Sequence, residues 1–465
     1  MNRHLSGLGA GLLLLGAACG REPELKLGTL PPSTRAPAPS SAVRLPRDGG
    51  QARLYRLPSL EPSSWSTEDK LPPLERAVGG DAEQGLVYAL DRHHNVVGVD
   101  LATRRVRPYV EEVRYAAVGP DGALYSVDTG RVVTQLVRRT PVRFRSKLQG
   151  TPAELRGTMN GVLLARLAGT RSTLEVLGSD QPPASTPLPA GPMATSLYGD
   201  LVAIASDSAV VLYDPMAKHA PKVIRVRGHA RDVAFSPSGH RMYVARDDRS
   251  LLVIDRFTGE TLGEIELPGA SKEIRGDEYG RWLLVRPAAG DSVWVVDVGR
   301  GRQVGSVAAG WATDLPLVAA PNTLILRRGA DIVGLNLAAD GLPETGRIKG
   351  GAEDLWLSLR WRPARDAEVQ AAADSGLQVA DTDSSAAPPS VYLQVSSSQN
   401  PAWANELTEK LKGAGLPASV LPPARSDEAY RVVLGPYATR EQAESTGKKI
   451  GMPSFVVTPQ DTPER

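Results

Sequence analysis

Cysteine is almost missing from this 465-residue chain, which holds a single one, Cys19. One thiol excludes intramolecular disulfides, thiolate zinc clusters and iron–sulfur centres together. Aromatic residues are scarce at 5%, and 54 Lys and Arg balance 52 Asp and Glu. A balance so close to neutral gives no electrostatic reason to bind nucleic acid, since neutralising phosphates needs clustered Lys and Arg. Sequence signatures of catalysis are missing too: there is no His-Glu-x-x-His, no Gly-x-Ser-x-Gly elbow and no phosphate-cradling glycine loop. His93, His94, His219, His229 and His240 show no metal-ligand spacing. No catalytic residue, metal or cofactor is therefore expected. Turn formers, in contrast, are plentiful, with 46 glycines and 38 prolines. The length suits two or three domains.

The lone cysteine closes an amino-terminal address. Arg3 supplies a positive flank, and the apolar run from Leu5 to Ala18 is fourteen residues. That is too short for the roughly 20 residues that cross a bilayer, so the segment reads as an export signal. Its end, Leu15-Gly16-Ala17-Ala18-Cys19, resembles a bacterial lipobox, which implies acylation of Cys19. Gly20 in place of an aspartate implies, by the same resemblance, the outer membrane. More than one acyl chain gives durable anchoring. Residues 20–50 carry six prolines and few large apolar groups, and so read as an extended tether.

A unit of about forty residues then recurs. Its clearest copy runs from His229 through Phe235-Ser-Pro-Ser-Gly239, Arg241-Met-Tyr-Val-Ala245 and Ser250-Leu-Leu-Val-Ile-Asp255 to Thr258-Gly259 and Leu267. These are four short β-rich runs separated by turn dipeptides. Strands ending on Asp214, Asp255, Asp297 and Asn336 are spaced by 41, 42 and 39 residues. Four strands per forty residues is the blade of a β-propeller. Units starting near 72, 112, 151, 191, 229, 269 and 310 count to seven, with 52–57 or 355–360 closing the ring. The repeats resemble the YVTN and WD-repeat class of propellers. The strand-end aspartates Asp100, Asp214, Asp255 and Asp297 are expected to cap their own turns.

Residues 363–390 turn small and polar and read as a second linker. After them, Val391-Tyr-Leu-Gln-Val395 alternates as a strand, and Asn400-Pro401 opens a helix through Ala404, Leu407 and Leu411 to Gly415. Ala418–Leu421 and Tyr430–Leu434 follow as strands. Thr439-Arg-Glu-Gln442 is a capping box opening a second helix, and 454–457 is the last strand. The order βαββαβ predicts one antiparallel sheet with both helices on one face, a small ferredoxin-like α+β domain. Tyr392-Leu-Gln394-Val, Leu411-Lys-Gly-Ala-Gly415 and Tyr430-Arg431-Val-Val-Leu-Gly435-Pro436-Tyr437 resemble a SPOR (sporulation-related repeat) domain over 391–459. That resemblance implies binding of septal peptidoglycan, with preference for glycan strands stripped of their stem peptides. The family's Gln-x-Gly-Ser-Phe stands here as Gln394-Val-Ser396-Ser397-Ser398.

If Val391, Leu393 and Val395 pack on the helices, Tyr392, Gln394 and Ser396 face the open side of the sheet. Ser397 continues that edge, and Arg431 and Val433 join it from the neighbouring strand. Amides and hydroxyls exchange hydrogen bonds with N-acetyl and ring hydroxyl groups. Arg431 is matched to the lactyl carboxylate that stem-peptide removal leaves on muramic acid. Trp403 reads as a helix-packing residue. The expected molecule is mainly β and multidomain: a signal peptide at 1–19 with lipidated Cys19, a tether at 20–50, a seven-bladed β-propeller at 51–362, a linker at 363–390, the SPOR domain at 391–459 and a disordered tail at 460–465. The expected role is a non-enzymatic envelope scaffold, anchored in the outer membrane and enriched at the division septum. It grips glycan strands and offers its propeller loops to a protein partner. The competing reading is a periplasmic propeller enzyme, lactonase-like, that the SPOR domain targets to the wall.

Overall fold

The computed structural model describes residues 40–361 and 391–457, apart from short interruptions in each. Cys19, the signal segment, His219, the 363–390 linker and the 460–465 tail lie outside the described residues. No described helix is long and apolar enough to cross a membrane.

The first three strands, β1 (Ser40–Leu45), β2 (Arg53–Arg56) and β3 (Glu61–Ser66), precede seven quartets of consecutive strands. The quartets are β4–β7 (74–110), β8–β11 (113–147), β12–β15 (152–187), β16–β19 (193–225), β20–β23 (230–266), β24–β27 (271–308) and β28–β31 (317–351), and β32 (Leu355–Arg360) comes last. Each quartet forms one antiparallel four-stranded sheet, and β32 joins the first three strands in the order β3-β2-β1-β32. Among the described residues the propeller therefore has eight blades, which corrects the expected seven. The seven periods are all present at their expected places. The eighth blade is a composite of the two chain ends, so it leaves no periodic mark in the sequence.

Eight apolar clusters, each shared by two neighbouring blades, close the ring. Val43, Leu45, Leu355 and Leu359 of the composite blade pack with Leu74, Val87 and Val99 of the next. On its other side Ala42, Tyr55 and Trp356 pack with Ala319, Ile325 and Ile332. The remaining six join successive quartets. Both faces of the middle strands are consequently covered: β21 (Arg241–Arg246) and β22 (Ser250–Asp255) are buried at every position. Such strands read as continuous rather than alternating.

The ring is latched by pairing Ser40 with Arg360 and Leu45 with Leu355. Ala42, Val43 and Leu45 are fully buried there. The expected tether thus ends before residue 40 and the propeller begins there, not at 51. Small residues such as Ser40-Ser41-Ala42 carry little strand signal alone. Their partner strand lies some three hundred residues on, where β32 offers Trp356 and Leu359. Asp314 ties the latch to its neighbour, accepting from the Trp356 N–H at 3.0 Å and pairing with Arg327 at 2.7 Å.

The carboxyl-terminal domain contains β33 (Val391–Ser398), α1 (Pro401–Gly413), β34 (Ala418–Leu421), β35 (Tyr430–Tyr437) and β36 (Phe455–Val457). Its sheet is antiparallel in the order β34-β35-β33-β36. Ala404, Leu407 and Leu411 recur at helical spacing and meet Leu393, Val395, Val432 and Leu434 in one core. Gly415, at φ +79°, ends α1. The Leu416 N–H reaches the Leu411 carbonyl and the Gly415 N–H that of Lys412, a Schellman stop. At the predicted capping box, Thr439 Oγ1 accepts from the Gln442 N–H at 3.3 Å and Gln442 Oε1 from the Ala438 N–H at 3.2 Å. Ala443 is buried in the same core, while most of the expected second helix lies outside the described residues.

Candidate functional site

The propeller offers carboxylates in two places. At the strand ends they cap turns: Asp100 Oδ1 accepts from Ala102 and Thr103, Asp255 Oδ1 from Phe257 and Thr258, and Asp297 Oδ1 from Arg300, at 2.8–3.0 Å. On the innermost strands, Glu154 pairs with Arg156 at 2.6 Å and Arg166 at 3.5 Å. Glu273 pairs with Arg275 at 3.6 Å and Arg286 at 3.4 Å. Asp232 staples two blades by accepting the Ile274 N–H at 2.8 Å. Burial, with Glu273 and Glu154 nearby, pushes the Asp232 carboxyl up to about 6. His93 lies in an exposed turn, and His94 in the same turn is half-buried. His229 sits on the surface against Asp207 at 2.5 Å. Ser238 bonds His240 Nδ1, and His240 Nε2 is buried with no hydrogen-bond partner among the described residues. Among the described residues no group of His, Cys, Asp and Glu is placed to hold a metal.

The carboxyl-terminal sheet differs because, among the described residues, one of its faces has no helix on it. Cross-strand partners share a face, so the register assigns the sides. Ala418, Leu434 and Leu393 form one row and Val420, Val432 and Ser396 another, and the apolar members of both pack toward α1. The open rows are Ser419–Val433–Gln394 and Leu421–Arg431–Ser397. Tyr392, flanked by the inward Val391 and Leu393, stands on the same open side. Tyr392, Gln394 and Arg431 are partly exposed, as expected of a ligand-facing surface.

Two expected contacts move. Ser396 is 5% exposed and pairs with Val432. A bulge between Gln394 and Ser396 adds one residue to β33 and turns Ser396 to the helix side. Strict alternation, which assigns it to the open face, fails at that bulge. Val433 stands in the open row but is 1% exposed, at the centre of the second strand, so it underlies the surface rather than presenting itself. Ser397 pairs with Arg431 in the ladder; its side chain lies outside the described residues. Ser419 completes the central open row and was not singled out from the sequence, although alternation within 418–421 places it beside Val433.

The local geometry explains the glycine of the Tyr-Arg-Val-Val-Leu-Gly-Pro-Tyr run. Gly435 adopts φ +128°, and a Cβ there would press on the Val391 carbonyl at 3.1 Å and the Tyr392 ring at 3.2 Å. The missing side chain is what lets the Tyr392 ring lie against the β35 bend. Burial raises the Tyr392 phenol above its ordinary range, so it remains a neutral hydrogen-bond donor. The face can thus present a ring, a carboxamide, a hydroxyl and one guanidinium along a strip three strands wide, from β34 through β35 to β33.

These rows belong to a recognisable unit: residues 387–458 match the SPOR domain. This segment is a SPOR domain. Its presence points to peptidoglycan binding and to a place in the periplasm beside the wall. No curated protein matches the chain. Among solved structures, the chain is similar to apo AztD from Citrobacter koseri at 11% identity and a TM-score of 0.49, over 69% of this chain and 98% of that one. It is similar to the dihydro-heme d1 dehydrogenase NirN in complex with DHE at 16% identity and a TM-score of 0.49, over 69% and 76%. The eight-bladed ring rests on its own strand pairing, not on these likenesses.

Proposed function

We propose that this protein is an outer-membrane lipoprotein, acylated at Cys19, that grips denuded septal glycan strands and holds a non-catalytic propeller between membrane and wall. The open sheet row of the SPOR domain carries the reading. Gln394 and Ser419 supply amide and hydroxyl partners for N-acetyl and ring hydroxyl groups, and Tyr392 offers a ring edge. Arg431 supplies the cation for a lactyl carboxylate, a charge-assisted bond stronger than a neutral one. Stem-peptide removal creates that carboxylate, so the preference for stripped strands follows from chemistry. Bulk charge does not replace this contact, since residues 391–459 hold seven Lys and Arg against six Asp and Glu.

Two attachments on one chain raise the effective concentration of the second once the first is made. In this reading the lipid keeps the propeller within reach of the wall, and the glycan selects the septum. The pairing of Glu154 and Glu273 with two arginines each supports a structural rather than catalytic use of the inner-strand carboxylates. The propeller then serves as a platform whose loops meet a protein partner. A periplasm-compatible fluorescent fusion tests the role. Septal enrichment that disappears on removal of residues 391–465 is expected. Even labelling of the cell outline in both forms would contradict it.

A further inference from the structure

The strand-end carboxylates of neighbouring blades are neutralised differently. In the 271–308 blade, Asp297 gives one oxygen to its turn, and the other faces Arg281 at 3.5 Å and Arg300 at 3.8 Å. The position equivalent to Arg281 in the 230–266 blade is His240. Val298 and Arg256 donate their N–H to the carbonyls of Arg281 and His240 respectively, and the next residues, Trp282 and Arg241, pair with Asp297 and Asp255. His240 brings no charge, because burial, with Arg241 beside it, holds its imidazole down to about 3. Asp255 is 3% exposed, and a desolvated carboxylate needs a close cation. Arg241 of its own blade lies within electrostatic reach of Asp255, and a directly bonded cation comes from the other domain: Asp255 Oδ2 accepts from Lys410 Nζ of α1. Glu406, one turn earlier, pairs with Lys410 at 3.1 Å and lies 3.9 Å from Arg241. Four charges alternate in sign across the contact, and Phe257 and Leu407 line the same cleft.

We infer that the 230–266 blade is a dedicated docking surface for the SPOR helix, held by Asp255–Lys410 and Arg241–Glu406, so that propeller and SPOR domain travel as one body. The helix packs on one side of the SPOR sheet, and Tyr392, Gln394 and Arg431 stand on the other, so the dock leaves the open face free. The glycan face is then presented at a fixed attitude to the propeller. His240 is the local adaptation: where the next blade sets Arg281 against the second oxygen of Asp297, this blade sets a neutral imidazole, and Lys410 of α1 bonds the second oxygen of Asp255.

The inference stands apart from the glycan reading, because neither of its tests uses glycan. A water-soluble carbodiimide joins a carboxylate to an amine only where they already touch. Treating the full chain and mapping cross-linked peptides should join Lys410 to Asp255, with the yield falling several-fold near 1 M salt, where the screening length is about 3 Å. Adducts of Lys410 confined to Glu406 within its own helix would overturn the dock. Lys410→Glu and Lys410→Arg then probe it by small-angle scattering, with unchanged circular dichroism as the folding control. The glutamate should enlarge the radius of gyration and the arginine should keep it. A glutamate variant that scatters like the unmodified chain would overturn the dock as well.

Discussion

The two folded regions treat their sheets in opposite ways. In the propeller every blade is sandwiched, and its middle strands are buried on both faces. In the SPOR domain one sheet is covered on one side by a helix, and β33 alternates buried and half-buried residues from Val391 to Val395. A stack of covered sheets is a rigid frame whose contact surfaces are loops and edges. A half-covered sheet is itself a contact surface, flat and long enough for a linear chain. In the proposed reading, support falls to one region and recognition to the other.

Removing residues 391–465 should break the comparison most completely. Sedimentation with denuded glycan strands should be abolished, while circular dichroism shows the propeller still folded. Retained sedimentation would move recognition into the propeller. Next in size is Trp356→Ala. Trp356 is fully buried in the composite blade and donates to the Gly351 carbonyl at 2.8 Å, so its loss should cost the propeller about 3–5 kcal/mol. Denaturant unfolding followed domain by domain should place the loss in the propeller transition. A loss below about 1 kcal/mol would mean that the latch does not close the ring.

A smaller effect is expected from pH. Asp232 has a folded-state value of about 6 against 3.8 ordinarily, and Asp277 is pushed by burial up to about 7. Groups raised in the folded state hold their protons more tightly there. Their contribution is therefore complete below the ordinary carboxylate value and is lost as pH rises through about 6 to 7. The propeller's melting temperature should fall across that window, and Asp232→Asn should flatten the fall. An identical slope in the variant would contradict the assignment. Smallest of all is Ser396→Ala, which should change glycan affinity less than about two-fold because the bulge turns Ser396 away from the open face. A large loss would return Ser396 to the surface.

What was legible in the sequence followed from local repetition. Most of the seven periodic blades announce themselves through their own turns and a strand ending on a capping Asp or Asn, as at Asp255 and Asn336, whereas the 152–187 blade has no such strand end and is faint in the sequence. The eighth is invisible to that logic, since 40–66 and 355–360 become a blade only when the ends meet. On the SPOR sheet, alternation placed Tyr392, Gln394 and Arg431 correctly. It failed at Ser396, where one inserted residue reverses the faces, and it ignored depth at Val433, where a central position buries an outward residue. The Asp255–Lys410 contact lay beyond sequence reasoning, because it joins residues 155 apart that no local pattern links.

The most direct test is the affinity of the full chain for glycan strands without stem peptides, measured beside Gln394→Ala and Arg431→Ala. Each loses a partly exposed group and should keep the fold. Losing the charged bond of Arg431 is expected to cost about 1.5–3 kcal/mol, roughly a 10- to 150-fold weaker Kd, and losing the amide of Gln394 about 0.5–1.5 kcal/mol. Binding of both folded variants at the unmodified strength would contradict the open SPOR face as the site that holds the wall.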